Sequence, residues 1–539
     1  MGWLPIREAN GFTMAEVEAS GTGPAKSGLV LVSLILVATV ANLNLAVANV
    51  ALPDIAEHFD ASQVGLNLVA VGYSLGLACS VLWLGALGDR HGRKRMLLLG
   101  TALAIPASVL AAWAPSMVSL AVARLAGGLA AGMAYPTTLA LIAALWTGHA
   151  RTRSIALWSA IGGASAALGP LAAGAVLVHF WWGSVFLLTV PLALVALIGA
   201  ARFIPAHVNE TTERVDNLGG FLSVVMVGAI VLSINFAPQT EMLTQTLVLG
   251  AVGIIAAVAF VIRQKRCAEP LYDLGYAGRR TFWVAAVAGM LVFGALMGAI
   301  FVGQQYLQNV LGYSTWTAGL SVVPAALAMV LVAPRSASLI QRYGSRITLL
   351  IGYAFCGAGF VVMWLLWTSG TSFAVIAVGY VFLGIGVAIA GTPASRALTS
   401  SVPVHKAGMA SGTADLQRDL GGAIMQSILG ALLTVGYATS FNKAIADAPQ
   451  AAQVTGEVTA QLTKSFAGAE SVAANYPGYS EQIIAAANES FVAGQRWAFF
   501  VGLIAMCLGV AVVWIAFPDK DDEAALLVEF EKSDALVGG

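Results

Sequence analysis

Four residues of this 539-residue chain place a formal charge inside long apolar runs: Arg124, Asp415, Arg418 and Asp419. All other aspartates and glutamates fall in loops, termini or interfacial turns. A charge at the centre of a membrane-buried helix costs about 2.5–3.5 kcal/mol on insertion scales, so each of the four needs a reason to be there. Asp415 and Asp419 stand four apart and therefore share one helix face. Acids that close, with Arg418 between them, titrate as one coupled group that can carry a proton or attract a cation. The other reading is a static ion pair near the cytoplasmic end, because an apolar core of about 20 residues counted back from Val435 stops near Leu416. Arg124 lies early in its run, nearer the outer third than the midplane. It can tune a nearby acid or couple protonation to a conformational switch; as a structural residue it is a buried cation satisfied by backbone carbonyls.

Such charges need an apolar scaffold, and the composition supplies one. Hydrophobic residues make up 58% of the chain and charged residues 10%, against about 25% charged in soluble proteins. The mean hydropathy of +0.83 is too high to hide in soluble cores, because surface does not shrink fast enough with size. The 58 glycines agree, since Gly is frequent in membrane helices. Lys and Arg balance Asp and Glu at 27 each, which argues against a nucleic-acid partner. Cys79, Cys267, Cys356 and Cys507 lie far apart, with no disulfide framework or zinc spacing. No phosphate-cradling loop, metal-ligand cluster or nucleophile triad is present, so the expectation is no enzyme, no cofactor, no metal and no ATP as energy source.

At about 20 residues per crossing, fourteen apolar spans are predicted: 29–51, 66–87, 96–114, 117–140, 154–178, 184–203, 218–236, 244–262, 282–304, 317–339, 347–367, 373–395, 411–435 and 496–517. The first is too long and lacks a cleavage site, so it reads as a retained span. Arg124 and Arg418 fall within spans, Arg496 at a boundary, and Lys443 and Lys464 on one side; the rest of the 27 Lys and Arg residues, among them Arg7, Arg151, Arg153, Arg214 and Lys406, fall on the other side. That asymmetry puts both termini in the cytoplasm. The one long loop, 436–495, lies outside. It is expected to form a helical hairpin about the turn Tyr476-Pro477-Gly478-Tyr479, with Ile483, Ile484, Ala487 and Phe491 at helical spacing, serving as a lid or as a solvated spacer.

The loop between spans two and three reads Gly85-Ala86-Leu87-Gly88-Asp89-Arg90-His91-Gly92-Arg93-Lys94-Arg95. Its glycines permit a tight reversal, and Asp89 can cap the next helix or pair with Arg93. Leu87, Arg90, Gly92 and Lys94 recur as Leu339, Arg342, Gly344 and Arg346 between spans ten and eleven. A repeat at that distance suggests two related six-span halves, 29–203 and 282–517, joined by a two-span linker region, 204–281. The ends, 1–28 and 518–539, read as cytoplasmic tails.

The Gly85–Arg95 loop resembles the signature of the major facilitator superfamily, and with fourteen spans the chain looks like its drug:proton antiporter branch, the relatives of quaternary-ammonium exporters. Arg124 with Gly128, Ala130, Ala131 and Pro136 resembles the motif linked there to proton transfer. Gly169-Pro170 with Gly174 resembles the antiporter motif associated with export. Leu43 to Pro53 resembles the first-span signature, and Tyr306-Leu307-Gln308 with Leu311-Gly312 a ninth-span ending. The chain departs from the pattern at Asn44, where an aspartate is usual, and at Ala46, Gly127, Ala173 and Gly183. An amide does not exchange a proton, so coupling assigned to that position in relatives cannot operate here. Some quaternary-ammonium exporters carry an acidic pair like Asp415 and Asp419, whereas many members have Arg-Gln where this chain has Arg418-Asp419.

Asn42, Asn44, Asn49, Tyr73, Tyr135, Trp158, Gln304, Gln305 and Gln308 are polar or aromatic residues able to line a central cavity. Ring faces attract flat lipophilic cations, although interhelical hydrogen bonds and interfacial belts use the same residue types. The expectation is an all-α, multi-pass protein of the bacterial cytoplasmic membrane, working as a monomer. It would be a proton-driven exporter of small amphipathic molecules, cations among them, by alternating access. The alternatives are export of an endogenous lipid or metabolite, and a sensor or assembly partner without turnover.

Overall fold

In a computed structural model the chain is a bundle of long helices. Residues 23–537 are described except 25, 147, 207–214, 404–406 and 449–453. Arg7, Arg214 and Lys406 lie outside the described residues, as do the side chains of Asp89, Arg151 and Arg153. Every regular element among the described residues is helical. Twelve helices among them are long and apolar enough to cross a membrane. One of these, Thr315–Leu366, runs 52 residues through a break at Gly344, which is length for two crossings. A further 30-residue helix, Gly148–Leu177, is not among the twelve. Twelve candidate spans among the described residues thus stand against the fourteen expected from the sequence, and the all-α, multi-helix class holds.

The first group holds α1 (Ser27–Phe59), α2 (Gln63–His91), α3 (Arg93–Ala112), α4 (Met117–Leu145), α5 (Gly148–Leu177) and α6 (Thr189–Phe203). Two helices follow, α7 (Asn217–Phe236) and α8 (Leu243–Arg266). The second group holds α9 (Arg280–Asn309), α10 (Val323–Leu366), α11 (Phe373–Ser400), α12 (Ala407–Ala446) and, after the outer loop, α15 (Ser480–Ala516). In the first group α1 packs on α5 and α6, and α4 on α2 and α3; in the second α10 packs on α11, and α12 on α9 and α15. The groups meet where α2 lies against α12 and where α5 lies against the short helix Thr315–Leu320. The α7–α8 pair touches both sides of that seam, through α2 and α12. Hydrogen bonding inside each helix is what lets the backbone cross hydrocarbon at all.

The repeated loop is repeated in three dimensions. Gly92 and Gly344 both take positive φ, 109° and 81°. Two residues on from each, a cation caps the last helix of its own group. Lys94 Nζ donates to the carbonyls of Ala201 (2.9 Å) and Ile204 (2.6 Å). Arg346 donates to the Trp514 carbonyl and lies 4.9 Å from the Trp514 ring. Unpaired carbonyls and the negative end of the helix dipole favour a cation there.

The segment expected as a C-terminal tail is a helix, α16 (Lys520–Val537), docked against this second loop. Glu523 accepts from the Ser345 hydroxyl at 2.7 Å, Lys520 donates to the Gln341 carbonyl at 2.8 Å, and Asp534 pairs with Arg279 at 2.5 Å. A side chain at Gly344 would meet both a glycine-only backbone conformation (φ 81°, ψ 169°) and Lys520 Cβ at 2.8 Å. Gly344→Val is therefore expected to cost about 1–3 kcal/mol, read as a fall in the melting temperature of the purified protein.

The outer loop forms α13 (Gly456–Lys464) and α14 (Phe466–Asn475). The expected hairpin is present about Tyr476–Tyr479, between α14 and the start of α15, with α13 packed on α14; its second arm runs on into the last span. Ile483, Ile484, Ala487 and Phe491 open the 37-residue helix α15, which continues unbroken into the last span. Ala487 and Phe491 are buried, and the Phe491 ring sits 6.1 Å from Phe466 of the hairpin. The apolar period at 483–491 thus marks packing against the first arm of the hairpin.

Candidate functional site at the seam of the two helix groups

Helix α12 brings Asp415, Arg418 and Asp419 to its contact with the first group. Arg418 Nη2 lies 3.2 Å from Asp415 Oδ1, and its Nε lies 3.7 Å from Asp419 Oδ1. The same Nη2 donates across the seam to the Tyr135 hydroxyl of α4 at 2.7 Å, and the guanidinium stands 5.0 Å from the Tyr135 ring. Tyr135 rests on Trp158 of α5, ring centres 5.6 Å apart, and Trp158 Nε1 donates to Thr138 at 3.0 Å. Asp419 is 2% exposed, and its Oδ2 has no hydrogen-bond partner; neither has Arg418 Nε. With both acids ionised the triad carries one net negative charge, and an open acceptor is available to receive whatever neutralises it.

Arg124 of α4 occupies a second buried position, 2% exposed. It is held by backbone: Nη1 donates to the Asn44 carbonyl of α1 at 2.7 Å, and Nε to the Val69 carbonyl of α2 at 3.3 Å. The guanidinium lies 4.9 Å from the Tyr73 ring and 5.5 Å from Phe186. Among the described residues no carboxylate pairs with it, and its Nη2 is unpartnered. Asn44 turns its amide away, to Thr189 Oγ1 (3.0 Å) and the Val40 carbonyl (3.2 Å). Where an acid would face the arginine, this chain offers a peptide oxygen.

The nine candidate cavity residues divide into several places. Tyr73 belongs with Arg124, and Tyr135 and Trp158 with Arg418. Asn42 and Asn49 are buried on α1, Asn49 with an unpartnered Oδ1. Gln304 donates to the Ala318 carbonyl inside the second group (2.9 Å). Gln305 accepts from Gln63 at 2.8 Å, and Gln308 donates to the Val50 carbonyl at 3.0 Å. These last two contacts tie the groups together at the hairpin end.

The Gly169-Pro170 and Gly174 motif closes the same end. A Cβ on Gly174 would stand 2.5 Å from the Thr315 carbonyl, and one on Gly319 would stand 2.6 Å from the Pro170 carbonyl. Two helices approach this closely only over bare glycine. Above them Asp60 accepts from Lys464 (2.6 Å) and Gln461 (2.8 Å) of the hairpin. A 290 Å³ cavity beneath the hairpin is lined by Asp54, Glu57, Gln63, Gln305 and Glu470 among others. Burial, and then Glu57, raise the Glu470 carboxyl above its usual range. Gln63, Thr189 and Asp60 were not singled out from the sequence. Each is an ordinary polar residue whose partner lies more than a hundred positions away.

The family model of the Major Facilitator Superfamily matches residues 34–426. The chain belongs to that superfamily. Among major facilitator proteins, the multidrug efflux pump LfrA of Mycolicibacterium smegmatis is 33% identical over 496 residues, covering 92% of this chain and 97% of its own. The multidrug resistance protein Stp of Mycobacterium tuberculosis is 30% identical, covering 88% of this chain and 89% of its own. A bacterial homologue of the human lysosomal transporter Spinster, solved inward-facing and unoccupied, matches the fold with a TM-score of 0.63 at 14% identity, covering 94% of this chain and 99% of its own. The chain is thus a multi-pass membrane transporter of major facilitator fold.

Proposed function

We propose that this transporter exports amphipathic cations in exchange for protons, by rocking the halves 29–203 and 282–517 about the seam while 204–281 links them. The observation that carries this reading is the triad Asp415–Arg418–Asp419, with one net negative charge and an unpartnered carboxylate oxygen. A charged cluster is costly to enclose on both sides, and a neutral one much less so. One proton or one monovalent cation neutralises the triad, and both together overshoot. Exchange follows, because either ligand permits the rocking step and each excludes the other. The names of the relatives LfrA and Stp support a drug as cargo.

The positive-inside bias supports a cytoplasmic location for both termini and for the Gly85–Arg95 loop. The contacts of Gly174, Gly319, Gln305 and Gln308 then lie on the outer side of the seam. In everted membrane vesicles, uptake of a fluorescent lipophilic cation is expected to collapse when the pH gradient is dissipated. Uptake indifferent to the gradient would remove the proton from this account.

The hairpin contributes less than the seam. Lys464 and Asp60 are 28% and 57% exposed, and exposed pairs are worth about 0.2–1 kcal/mol. Lys464→Ala is accordingly expected to change the efflux rate by less than about fivefold, measured with the same dye in whole cells.

A further inference from the structure

On the lipid-facing side of the second group, α10, α12 and α15 leave a 460 Å³ groove lined by Trp364, Leu432, Arg496, Trp497, Phe500 and Val501. It opens just below a tight crossing of α12 and α15, where a Cβ on Gly436 would stand 2.6 Å from Gly494 Cα. Trp364 and Phe500 lie 5.1 Å apart, and Trp497 and Phe500 are 49% and 44% exposed. The wall is aromatic and apolar, with one cation in it. Arg496 is exposed, and among the described residues it has no ion pair or hydrogen bond.

The depth of that cation can be read from its own helix. Trp497 and Trp514 both face outward on α15, 49% and 59% exposed, and tryptophans in this position mark the two membrane interfaces. Their separation along the helix is about 26 Å at 1.5 Å per residue, close to the roughly 30 Å of bilayer hydrocarbon. Arg496, next to Trp497, therefore stands at headgroup level on the hairpin side, with the aromatic groove running from it toward the bilayer centre. At the other interface the cation beside Trp514 is accounted for, because Arg346 caps the helix carbonyls. Arg496 has no such task, and it is a basic residue on the side where the chain otherwise keeps so few. An unpaired guanidinium at that depth is matched by a phosphate diester, and an apolar groove leading inward from it is matched by acyl chains.

We propose that this groove is a binding site for an anionic phospholipid of the hairpin-side leaflet, its headgroup phosphate on Arg496 and its chains against Trp364, Trp497 and Phe500. The site is separate from the transport seam and holds whatever the cargo is.

The test uses the purified full-length protein in neutral detergent, titrated with phosphatidylglycerol or with phosphatidylcholine of the same chains. Bound lipid is counted by native mass spectrometry, and thermal stability is followed in parallel. The parent is expected to bind phosphatidylglycerol more tightly and to melt higher in it. Arg496→Gln is expected to lose about fivefold in phosphatidylglycerol affinity while keeping its phosphatidylcholine binding and its melting temperature in that lipid. Arg496→Lys is expected to recover most of the preference, and Trp497→Ala to weaken both lipids alike. Equal binding of the two lipids by the parent, or an unchanged preference in Arg496→Gln, overturns the proposal. So does a dimer of the parent that Arg496→Gln dissociates, which would assign the groove to a second copy of the chain.

Discussion

Asp419→Asn is expected to lower gradient-driven efflux of a lipophilic cation by at least tenfold, with little change in the amount of protein in the membrane. The amide has the size and shape of the acid, so the packing of α12 survives. What changes is charge: the triad goes from one net negative charge to none, permanently. Neither a proton nor a cation is then needed to neutralise it, and the exchange logic is lost. The comparison with Arg418→Gln separates this reading from a static ion pair. Removing the arginine leaves two buried acids without their cation, a loss of about 3–5 kcal/mol for a broken buried pair, and should lower stability as well as transport. In a purely structural cluster Asp419→Asn would spare efflux, and only Arg418→Gln would matter. Efflux measured in cells, with and without dissipation of the proton gradient, and the melting temperature of each purified variant decide between the two.

Arg124→Met is expected to leave the melting temperature unchanged or raised, and to reduce transport by more than tenfold. Most buried arginines would show the opposite pattern. Here the cation has no carboxylate to leave behind: its partners are the Asn44 and Val69 carbonyls and the faces of Tyr73 and Phe186. Replacing buried ionic groups by apolar ones is often neutral or stabilising by about 1–4 kcal/mol when no uncompensated charge is left behind, and the carbonyls of a membrane helix keep their own helical bonds. With stability kept and transport lost, the cost of burying the cation is explained by a role in transport. Arg124 bonds to α1 and α2 at once, which makes it a positioning residue for the helices that carry Asn44 and Tyr73. A variant that melts lower and transports normally would reduce Arg124 to a packing role.

Much of this molecule is legible in its sequence. Apolar run length, the lysine and arginine asymmetry, and the loop Gly85–Arg95 with its weaker copy at Leu339–Arg346 lead to a helical membrane transporter of major facilitator type. Each of these is a local property, fixed by what a helix needs in order to cross hydrocarbon. The charges inside the spans are legible for the same reason, since an intramembrane charge is expensive wherever it lies. Local patterning identifies the helix at 483–491 but not its length. An amphipathic period shows that one face is buried, and it carries no information on whether the helix stops there or runs on.

What the charges do was decided by contacts between distant segments. The sequence placed Arg418 beside Asp415 and Asp419, but only the packed structure put Tyr135 of the other group on the same guanidinium. Asn44 lies on the right helix to face Arg124, yet it offers its carbonyl and sends its amide to Thr189. Gln305 and Gln308 read as cavity residues, and folding sets them in the wall of the cavity beneath the hairpin while pairing them with Gln63 and Val50. Arg496 reads as a boundary charge until α10, α12 and α15 make a groove beside it. The division has one physical cause. Solvation by the bilayer acts on each segment separately and is written into its composition, whereas a hydrogen bond or an ion pair depends on a partner that only the tertiary fold brings within about 3 Å.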